Sequence, residues 1–405
     1  MNVSNSDIQP ISEESEKRIL FLLPQPFFAL RGSSFRAKAT LEALVSLGFI
    51  IDLICFDMGE SIILTGVTIL RPEHFNFIKN VSIGPSIRKI FLDFFLFLSA
   101  RKAAKQYRYS AIHGVEEGGF RAHYLSNKHN IPYIFDMHSR MSEQIRHSKF
   151  GFIPMLANIF EHFEKRSFHS AAGVITVGQE HAAHVAAIYK DVPIHTLHDL
   201  PLPVSYKENE VLELRENLKL RNKKVCVYSG NFESYQGIDL LIESWKELSL
   251  KLSDISLVLI GGTASQVKNY QIQAEKLGIS DSIIFMGSMP QEDTGNYLML
   301  ADVLVSPRLS GANTPLKIYS YMSCEKPIVA TNISSHTQVL TEDKAYLARP
   351  EPRAFAEAIA KAFSDNPAEA PVKLNKIKLA KNFVSEYFNP DAFKGVLKKV
   401  YGFVI

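Results

Sequence analysis

The sequence has few of the features that mark disulfide-stapled, metal-binding or nucleic-acid-binding proteins. Its 405 residues include three cysteines, Cys55, Cys226 and Cys324, whose spacing fits neither a disulfide framework nor a metal site. We expect these thiols to be reduced and buried, as in a cytosolic protein. The formal net charge is only +3, so the composition gives no reason to expect nucleic acid as a partner.

Long hydrophobic runs are also lacking. The most apolar segment, residues 86–108, is interrupted by Asp93 and holds about a dozen apolar residues, too few to cross a bilayer as a helix. Basic residues flank its phenylalanines and leucines, namely Arg88, Lys89, Arg101, Lys102, Lys105 and Arg108. This combination is typical of a helix lying on an anionic membrane surface, although a buried core helix with solvated ends has the same pattern.

The N-terminal residues 1–17 are polar and acidic. They contain no apolar stretch of the kind that a signal peptide requires. We interpret them as a disordered leader, because such a composition buries too little surface to order itself. The remaining length, with 46% hydrophobic residues, is enough for two or three domains.

From residue 18 onward, short apolar runs alternate with amphipathic helical segments. Repeated βα units of this kind predict parallel sheets covered on both faces. The proline-rich stretch 191–203 is predicted to be a linker. We therefore expect domains over 18–200 and 201–387, followed by an amphipathic helix over 388–405. Strands are predicted near 18–23, 49–56, 67–70, 111–115, 132–135 and 173–177, then near 224–229, 257–262, 282–287, 302–306 and 328–330.

The stretch 306–331, SPRLSGANTPLKIYSYMSCEKPIVAT, has the form of a strand end, a glycine loop and a helix start. Thr314 suits an N-cap and Pro315 the first helical position. The backbone N–H groups from Asn313 to Lys317 would then face an anion with the positive end of the helix dipole behind them. The pattern predicts a phosphate site, although an ordinary βαβ crossover has the same form.

The helix after Pro315 has two faces at i, i+3, i+4 spacing. Ile318, Tyr321 and Met322 are predicted to be core. Lys317, Ser320 and Cys324 share the other face, which we expect to be turned toward a ligand. Further along, His336 lies in a polar helix start and is predicted to be on the surface.

Three other strand ends carry candidate functional residues. Gly32 and Ser33 open a helix after the first strand, with Arg31 or Arg36 as nearby charges, although a plain Gly-Ser turn explains them equally. Gly230 starts the loop 230–237 after a β-rich run. His138 follows the strand near 132–135, at the edge where open α/β sheets bind ligands, with Asp136 on the same side of the extended chain.

Taken together, NTPLKIY, PIVAT and YQGIDLL resemble the glycosyltransferase family 4 enzymes, which share the GT-B fold. The resemblance covers nearly the whole chain from about residue 18. It implies two Rossmann-like domains facing a cleft, with the acceptor on the first, the nucleotide sugar on the second, and the last helix crossing back to the first. It also implies that His138 contacts the donor sugar near its reacting centre.

The same resemblance implies a donor site that departs from the family pattern. The family's Glu-x7-Glu pair, which holds donor-sugar hydroxyls and the ribose, falls on Ala312 and Ser320. The family's two basic residues on the diphosphate fall on Asn231 and Gln236, and Lys317 with Arg308 are the nearest cations to compensate. The implied substrate-binding residues are Gly32, Ser33, Gly230, Asn231, Gln236, Arg308, Gly311, Asn313, Thr314, Pro315, Leu316, Lys317 and Ser320.

The expected activity is transfer of a sugar, with retention, from a nucleotide diphosphate sugar to a glycan or lipid-linked acceptor in cell-envelope synthesis. We expect neither a metal nor another cofactor, because helix N-termini and basic side chains can carry the diphosphate. The expected location is cytoplasmic, with peripheral membrane contact through 86–108. The missing glutamates leave a second reading open, a degenerate GT-B protein that binds a nucleotide sugar or a partner without turnover. An epimerase or phosphorylase on the same fold is a further alternative, although nothing here resembles their motifs.

Overall fold

The structure is a computed structural model that describes residues 17–27, 32–56, 58, 62–72, 87–140 and 154–404. The predicted leader 1–17 falls outside this part of the chain, apart from its last residue. Contacts divide the chain into two compact units. The first holds the residues up to Thr176, Ala182–Thr196 and the chain from Lys394 on, and the second holds Val177–His181 and Leu197–Phe393.

The first unit is built on a seven-stranded parallel sheet in the order β3-β2-β1-β4-β5-β6-β7. Its strands are β1 (Arg18–Pro26), β2 (Ile50–Phe56), β3 (Val67–Leu70), β4 (Ala111–Val115), β5 (Tyr133–Met137), β6 (Gly173–Thr176) and β7 (Ile194–Thr196). The helices along this part of the chain are α1 (Gly32–Ser46), α2 (Ile87–Gln106), α3 (Glu117–His129), α4 (Pro154–His169) and α5 (Gln179–Ile188).

The second unit is built on a six-stranded parallel sheet in the order β10-β9-β8-β11-β12-β13. The strands are β8 (Lys224–Ser229), β9 (Ile255–Ile260), β10 (Ile283–Gly287), β11 (Val303–Ser306), β12 (Ile328–Thr331) and β13 (Tyr346–Ala348). The helices are α6 (Glu208–Asn217), α7 (Ile238–Ser249), α8 (Ala264–Leu277), α9 (Gln291–Leu300), α10 (Leu316–Ser323), α11 (Ser334–Thr337), α12 (Pro352–Phe363), α13 (Ala370–Tyr387) and α14 (Pro390–Val400).

Both sheets follow from nearly continuous apolar strands. β9 and β4 are buried along their whole length, as expected for parallel strands covered on both faces. In each sheet the first strand is flanked by the second and the fourth, so the strand order reverses at β1/β4 and at β8/β11. Open α/β sheets bind ligands at the carboxyl ends of the strands at such a reversal. The candidate residues after β8 and β11 therefore lie where the topology favours a site, and those after β5 lie one strand from the reversal in the first sheet.

The C-terminal helix α14 spans the change from the second unit to the first, since residues from Lys394 on belong to the first. Tyr401 is fully buried there, and its hydroxyl lies 2.7 Å from Nδ1 of His113 on β4. Phe403, which lies within the span 388–405 predicted for this helix, is 46% exposed and follows the helix end at Val400. The apolar face thus ends one turn earlier than the sequence pattern indicates.

Candidate functional site

His138 leaves the carboxyl end of β5 beside a buried charge pair. Asp136, two residues earlier, is 1% exposed and lies 3.3 Å from a terminal nitrogen of Arg36, which is itself 5% exposed. His113 Nε2 is 3.3 Å from the other carboxylate oxygen. Burial alone would raise the pKa of Asp136, but the charge of Arg36 and the contacts with both histidines outweigh it and hold that pKa well below its usual value. Asp136 is therefore an anion within this cluster.

Two groups contact the same nitrogen of His138. Arg36 Nε donates to Nε2 at 3.0 Å, a contact that requires a lone pair because an arginine only donates. Asp136 lies 3.3 Å from the same atom and attracts the ring when that nitrogen carries a proton. Arg36 and Asp136 thus both hold this nitrogen of His138 at the carboxyl end of β5.

The sequence made Arg36 a candidate for extra positive charge at the ligand. In the structure its side chain contacts Asp136 and His138. Arg36 lies inside α1, which begins at Gly32. Ser33 lies in the first turn of the same helix. Arg31 lies outside the described residues. Because Arg36 is paired with Asp136, its charge is already compensated within the first unit.

In the second unit, the loop after β8 folds around a lysine from α10. Gln236 is buried, and its Oε1 accepts a hydrogen bond from Lys317 Nζ at 3.3 Å. A Cβ built on Gly230 would lie 2.5 Å from the same Nζ, so the ammonium group rests against this backbone. Asn231 accepts from the backbone N–H of Glu233 at 3.3 Å. The resemblance implies basic residues at Asn231 and Gln236 of this loop. In the structure a cation reaches the loop from α10 instead, as Lys317.

Arg308 lies in the neighbouring loop after β11. Its guanidinium carbon is 5.1 Å from the centroid of the Tyr235 ring, and its Nε donates to the carbonyl of Ser310 at 2.7 Å. Its Nη2 also lies against the backbone of Gly311, where an added Cβ would be 2.1 Å away. The guanidinium is therefore held in the loop that precedes α10.

Neither Lys317 nor Arg308 pairs with a carboxylate among the described residues. Burial, reinforced by the charge of Arg308, holds the pKa of Lys317 well below its usual value, and burial also lowers that of Arg308. Lys317 Nζ sits 3.8 Å from the centroid of the Tyr228 ring, which offsets only part of its desolvation. An anion that binds here would compensate both positive charges and stabilise them.

The helix behind these cations starts one residue later than predicted. Pro315 is its N-cap and Leu316 its first residue, so Thr314 lies before the cap. The first N–H groups of a helix lack an intrahelical acceptor, and those of Leu316 and Lys317 are at this start. As predicted, Ile318, Tyr321 and Met322 are core residues of α10, each at most 1% exposed.

Two side chains that the sequence did not single out hold the loop before α10. His181 Nε2 lies 2.6 Å from Oδ1 of Asn313, and Gln338 Nε2 donates to the carbonyl of Ala312 at 2.6 Å. His181 is 2% exposed. They are more than 20 residues from the loop in sequence and belong to no motif, so nothing in the local pattern pointed to them.

The rest of the predicted ligand face of α10 is engaged within the protein. Ser320 is 4% exposed, and its hydroxyl both accepts from the N–H of Leu202 at 3.1 Å and donates to its carbonyl at 3.2 Å. Cys324 is buried and donates to the carbonyl of Ser320. In this structure the Ser320 hydroxyl is therefore bonded to Leu202 and the Cys324 thiol to its own helix. The assignment of Ser320 to the ribose stays a prediction.

The prediction that His336 lies on the surface is also wrong. The side chain is fully buried, with Nε2 2.9 Å from the Ser306 hydroxyl and Nδ1 2.9 Å from the carbonyl of Thr331. Burial lowers its pKa to about 4, so it is neutral at physiological pH. It joins the ends of β11 and β12 directly beneath the loop that carries Arg308.

Comparison with known proteins identifies what this arrangement belongs to. The sequence model described as "Glycosyl transferases group 1" matches residues 211–379, and that described as "Glycosyltransferase Family 4" matches residues 31–199. Together the two matches cover most of both units. The chain belongs to glycosyltransferase family 4.

Curated relatives of this family 4 protein align over part of their length. A putative glycosyltransferase, YtcC of Bacillus subtilis, is 30% identical over 162 residues, covering 37% of this chain and 39% of the relative. A GDP-mannose-dependent phosphatidylinositol monomannoside mannosyltransferase of Mycolicibacterium smegmatis is 26% identical over 32% of this chain and 36% of the relative. An alpha-monoglucosyldiacylglycerol synthase of Streptococcus pneumoniae is 23% identical over 53% of this chain and 50% of the relative. The chain thus spans between about a third and a half of the length of these relatives.

Solved structures match almost the whole chain and establish the fold. A sucrose-phosphate synthase from Thermosynechococcus elongatus has a TM-score of 0.74 at 18% identity, with 96% of this chain and 99% of the other covered. Anabaena HepE in complex with UDP has a TM-score of 0.72 at 14% identity, with 95% and 99% covered. The family 4 protein therefore has the GT-B fold that its sequence resemblance implied.

Proposed function

We propose that this protein transfers a sugar, with retention at the anomeric carbon, from a nucleotide diphosphate sugar to a glycan or lipid-linked acceptor. The setting that we propose is cell-envelope polysaccharide or glycolipid synthesis. Two relatives are named as a phosphatidylinositol monomannoside mannosyltransferase and an alpha-monoglucosyldiacylglycerol synthase, and these names support the lipid-linked class of acceptor. HepE binds UDP and UDP-glucose, which supports a nucleotide sugar as donor.

The observation that carries this proposal is the cation pair at the start of α10. Lys317 and Arg308 are desolvated without a carboxylate partner among the described residues, and the helix N–H groups of Leu316 and Lys317 are beside them. A diphosphate would compensate both charges and accept from these donors. In this proposal Gly230 and Gly311 let the two loops approach the phosphates closely, and no metal or other cofactor is required.

The reaction would be tested by donor hydrolysis. The purified protein is incubated with UDP- and GDP-sugars, with and without EDTA, and release of the nucleoside diphosphate is followed. We expect hydrolysis that is insensitive to EDTA and is lost in His138→Ala, because that imidazole is assigned to the donor sugar. Hydrolysis that survives His138→Ala would remove His138 from the site, and loss with EDTA would overturn the metal-free proposal.

Retention needs its own measurement. Once an acceptor is found, NMR coupling constants give the anomeric configuration of the product. The same configuration as in the donor is expected, and the opposite one would contradict retention.

A second candidate function is favoured by the altered donor positions. Ala312 has no group for a sugar hydroxyl, and the Ser320 hydroxyl is already bonded to Leu202. These changes suit a protein that binds a nucleotide sugar without turning it over. A selective rise in unfolding temperature with a nucleotide sugar, without hydrolysis or transfer, would favour this alternative.

We further propose that the outer face of α2 contacts an anionic membrane. Phe91, Phe94 and Leu98 are 39%, 55% and 42% exposed, and the exposed Lys102 and Lys105 continue the same face. Asp93 points the other way, is 5% exposed and pairs with Arg121 of α3 at 3.3 Å. The exposed face therefore combines aromatic residues with positive charge and carries no acidic side chain, as suits an anionic lipid surface. Among the described residues no helix has the length and apolarity to span a bilayer.

Sedimentation with vesicles tests this surface. Lys102→Glu with Lys105→Glu should abolish binding to vesicles rich in phosphatidylglycerol and leave binding to neutral phosphatidylcholine vesicles unchanged. The matched control is Lys268→Glu with Lys276→Glu, which changes the charge equally at exposed positions of α8. Equal binding by both double variants would contradict the assignment to α2.

A further inference from the structure

The turn from β4 to α3 holds a glutamate in an unusual backbone conformation. Glu116 has φ 51° and ψ −121°, a combination that side chains other than glycine rarely adopt. Asn130, which also has a positive φ, has ψ 45° and is an ordinary left-handed helix cap. The conformation of Glu116 is therefore strained rather than simply left-handed, and the surrounding structure must hold it there.

Two glycines explain why the chain must turn within this single residue. A Cβ on Gly114 would lie 2.5 Å from the carbonyl oxygen of Gly118, and a Cβ on Gly118 would lie 2.6 Å from that of Leu22 on β1. The first turn of α3 is thus pressed directly against the strands. The spacing Gly-x-Glu-x-Gly, between a strand and a helix, is that of the tight turn by which α/β-hydrolases expose a reactive side chain at a strand end.

The side chain of Glu116 contacts Ser139, the residue that follows His138. In the sheet, Val115 is opposite Asp136, and the N–H of Glu116 donates to the Asp136 carbonyl at 2.9 Å. Glu116 and His138 therefore leave neighbouring strands side by side. The Glu116 carboxylate accepts from the Ser139 hydroxyl at 2.9 and 3.2 Å. The turn thus brings a carboxylate to the residue that follows the candidate catalytic histidine.

Glu116 differs from its neighbour Glu117 in its ion pairs with the described residues. Glu117 pairs with Lys89, whereas Glu116 forms no ion pair with a described lysine, arginine or histidine within 4.0 Å. Burial raises the pKa of Glu116 to about 7, with Glu117 acting in the same direction and His138 and Lys89 opposing it. A structural carboxylate would be expected to have a cation, as Asp136 has Arg36.

We infer that Glu116 binds a hydroxyl group of the substrate next to His138. A carboxylate repels a diphosphate but accepts strongly from sugar hydroxyls, and backbone strain persists where function requires a side chain in one place. This inference rests on the proposed function, and it adds a residue that the family motifs quoted above do not include. The hydroxyl belongs either to the donor sugar or to the acceptor that attacks it.

The decisive variant is Glu116→Gly, because glycine relieves the strain while removing the carboxylate. Its unfolding temperature should equal or exceed that of the wild type, while its hydrolysis of the active donor, UDP-glucose or GDP-mannose, falls about 10- to 100-fold. The matched control is Glu325→Gly, another glutamate with positive φ (55°), exposed on the second unit. It should unfold no earlier than the wild type and keep full hydrolysis.

Binding assays separate the two sources of the hydroxyl. If Glu116 holds the donor sugar, Glu116→Gly weakens the nucleotide sugar but not the free nucleoside diphosphate. If it holds the acceptor, or the water that replaces it, both affinities stay unchanged and only the turnover rate falls. Glu116→Gln keeps an acceptor for Ser139 and should lose activity with a normal unfolding temperature.

Full hydrolysis by Glu116→Gly or Glu116→Gln overturns this inference, and so does a lower unfolding temperature of Glu116→Gly, which would make the residue structural. A wild type that neither binds nor hydrolyses any nucleotide sugar would instead refute the proposed function, and this inference with it.

Discussion

Lys317→Met separates the ligand-binding role of this half-buried lysine from a structural one, because the two roles predict opposite changes in stability. Methionine keeps the apolar stem of the side chain and removes the charge. The lysine is desolvated, its pKa is lowered mainly by burial, and it has no carboxylate partner among the described residues. Its favourable contacts are the Tyr228 ring at 3.8 Å and Gln236 at 3.3 Å.

The sizes of the favourable contacts and of the desolvation cost decide whether Lys317→Met raises or lowers the free energy of unfolding. A cation–π contact contributes about 0.5–2 kcal/mol, whereas a desolvated, unpaired ammonium costs several kcal/mol. Lys317→Met should therefore raise the free energy of unfolding of the ligand-free protein by about 1–3 kcal/mol. Loss of a charged hydrogen bond to a phosphate costs about 1.5–3 kcal/mol, so the dissociation constant for a nucleoside diphosphate should increase about 10- to 150-fold.

Two assays on the same preparation measure the free energy of unfolding and the dissociation constant. Denaturant unfolding gives the stability without ligand, and calorimetric titration with UDP or GDP at fixed ionic strength gives the affinity. Lys268→Met, an exposed lysine on α8, is the control and should change neither. A variant that is less stable than the wild type and binds with unchanged affinity would show that Lys317 is structural, and would refute the reasoning.

Two more predictions address buried polar groups. Ser320→Ala should lower the free energy of unfolding by about 1–2 kcal/mol through loss of its bonds to Leu202 and change nucleotide affinity less than threefold; a large loss of affinity at unchanged stability would instead place Ser320 on the ribose. Burial raises the pKa of Asp93 to about 7, against the opposing charge of Arg121. The folded state therefore keeps a proton that the unfolded state releases, and stability falls as pH rises from about 4 to 7. Asp93→Asn should flatten this fall by up to about 1.4 kcal/mol per pH unit, as measured by unfolding at pH 5 and 7, and an unchanged slope would contradict the assignment.

Local sequence pattern was enough to predict most of the two sheets. Runs such as 111–115 and 224–229 are mostly apolar and bounded by turn residues, which is what a strand buried on both faces requires. The short edge strands β7 and β13 were missed. Three residues carry no periodicity, and β7 lies inside the proline-rich stretch that indicated a linker.

Side-chain partners were much harder to predict than elements. Arg36 contacts His138 across 102 residues of sequence, and Lys317 contacts Gln236 across 81; neither pairing has a local signal. His336 was expected on the surface because its neighbours in sequence are polar. In the structure it is buried, and its partners Ser306 and Thr331 lie at the ends of β11 and β12. Such contacts depend on how the strand ends meet, which the sequence pattern alone does not encode.

The central claim is that the strand ends at β8 and β11, with the start of α10, form a nucleoside diphosphate site. Thermal unfolding of the wild type against a panel of nucleoside diphosphates and their sugars tests it most directly. At about a hundred times the dissociation constant, a ligand should stabilise the protein by roughly 2.7 kcal/mol. We expect a selective rise in unfolding temperature for the diphosphates of one base, reduced in Lys317→Met. No rise with any member of the panel would contradict the account.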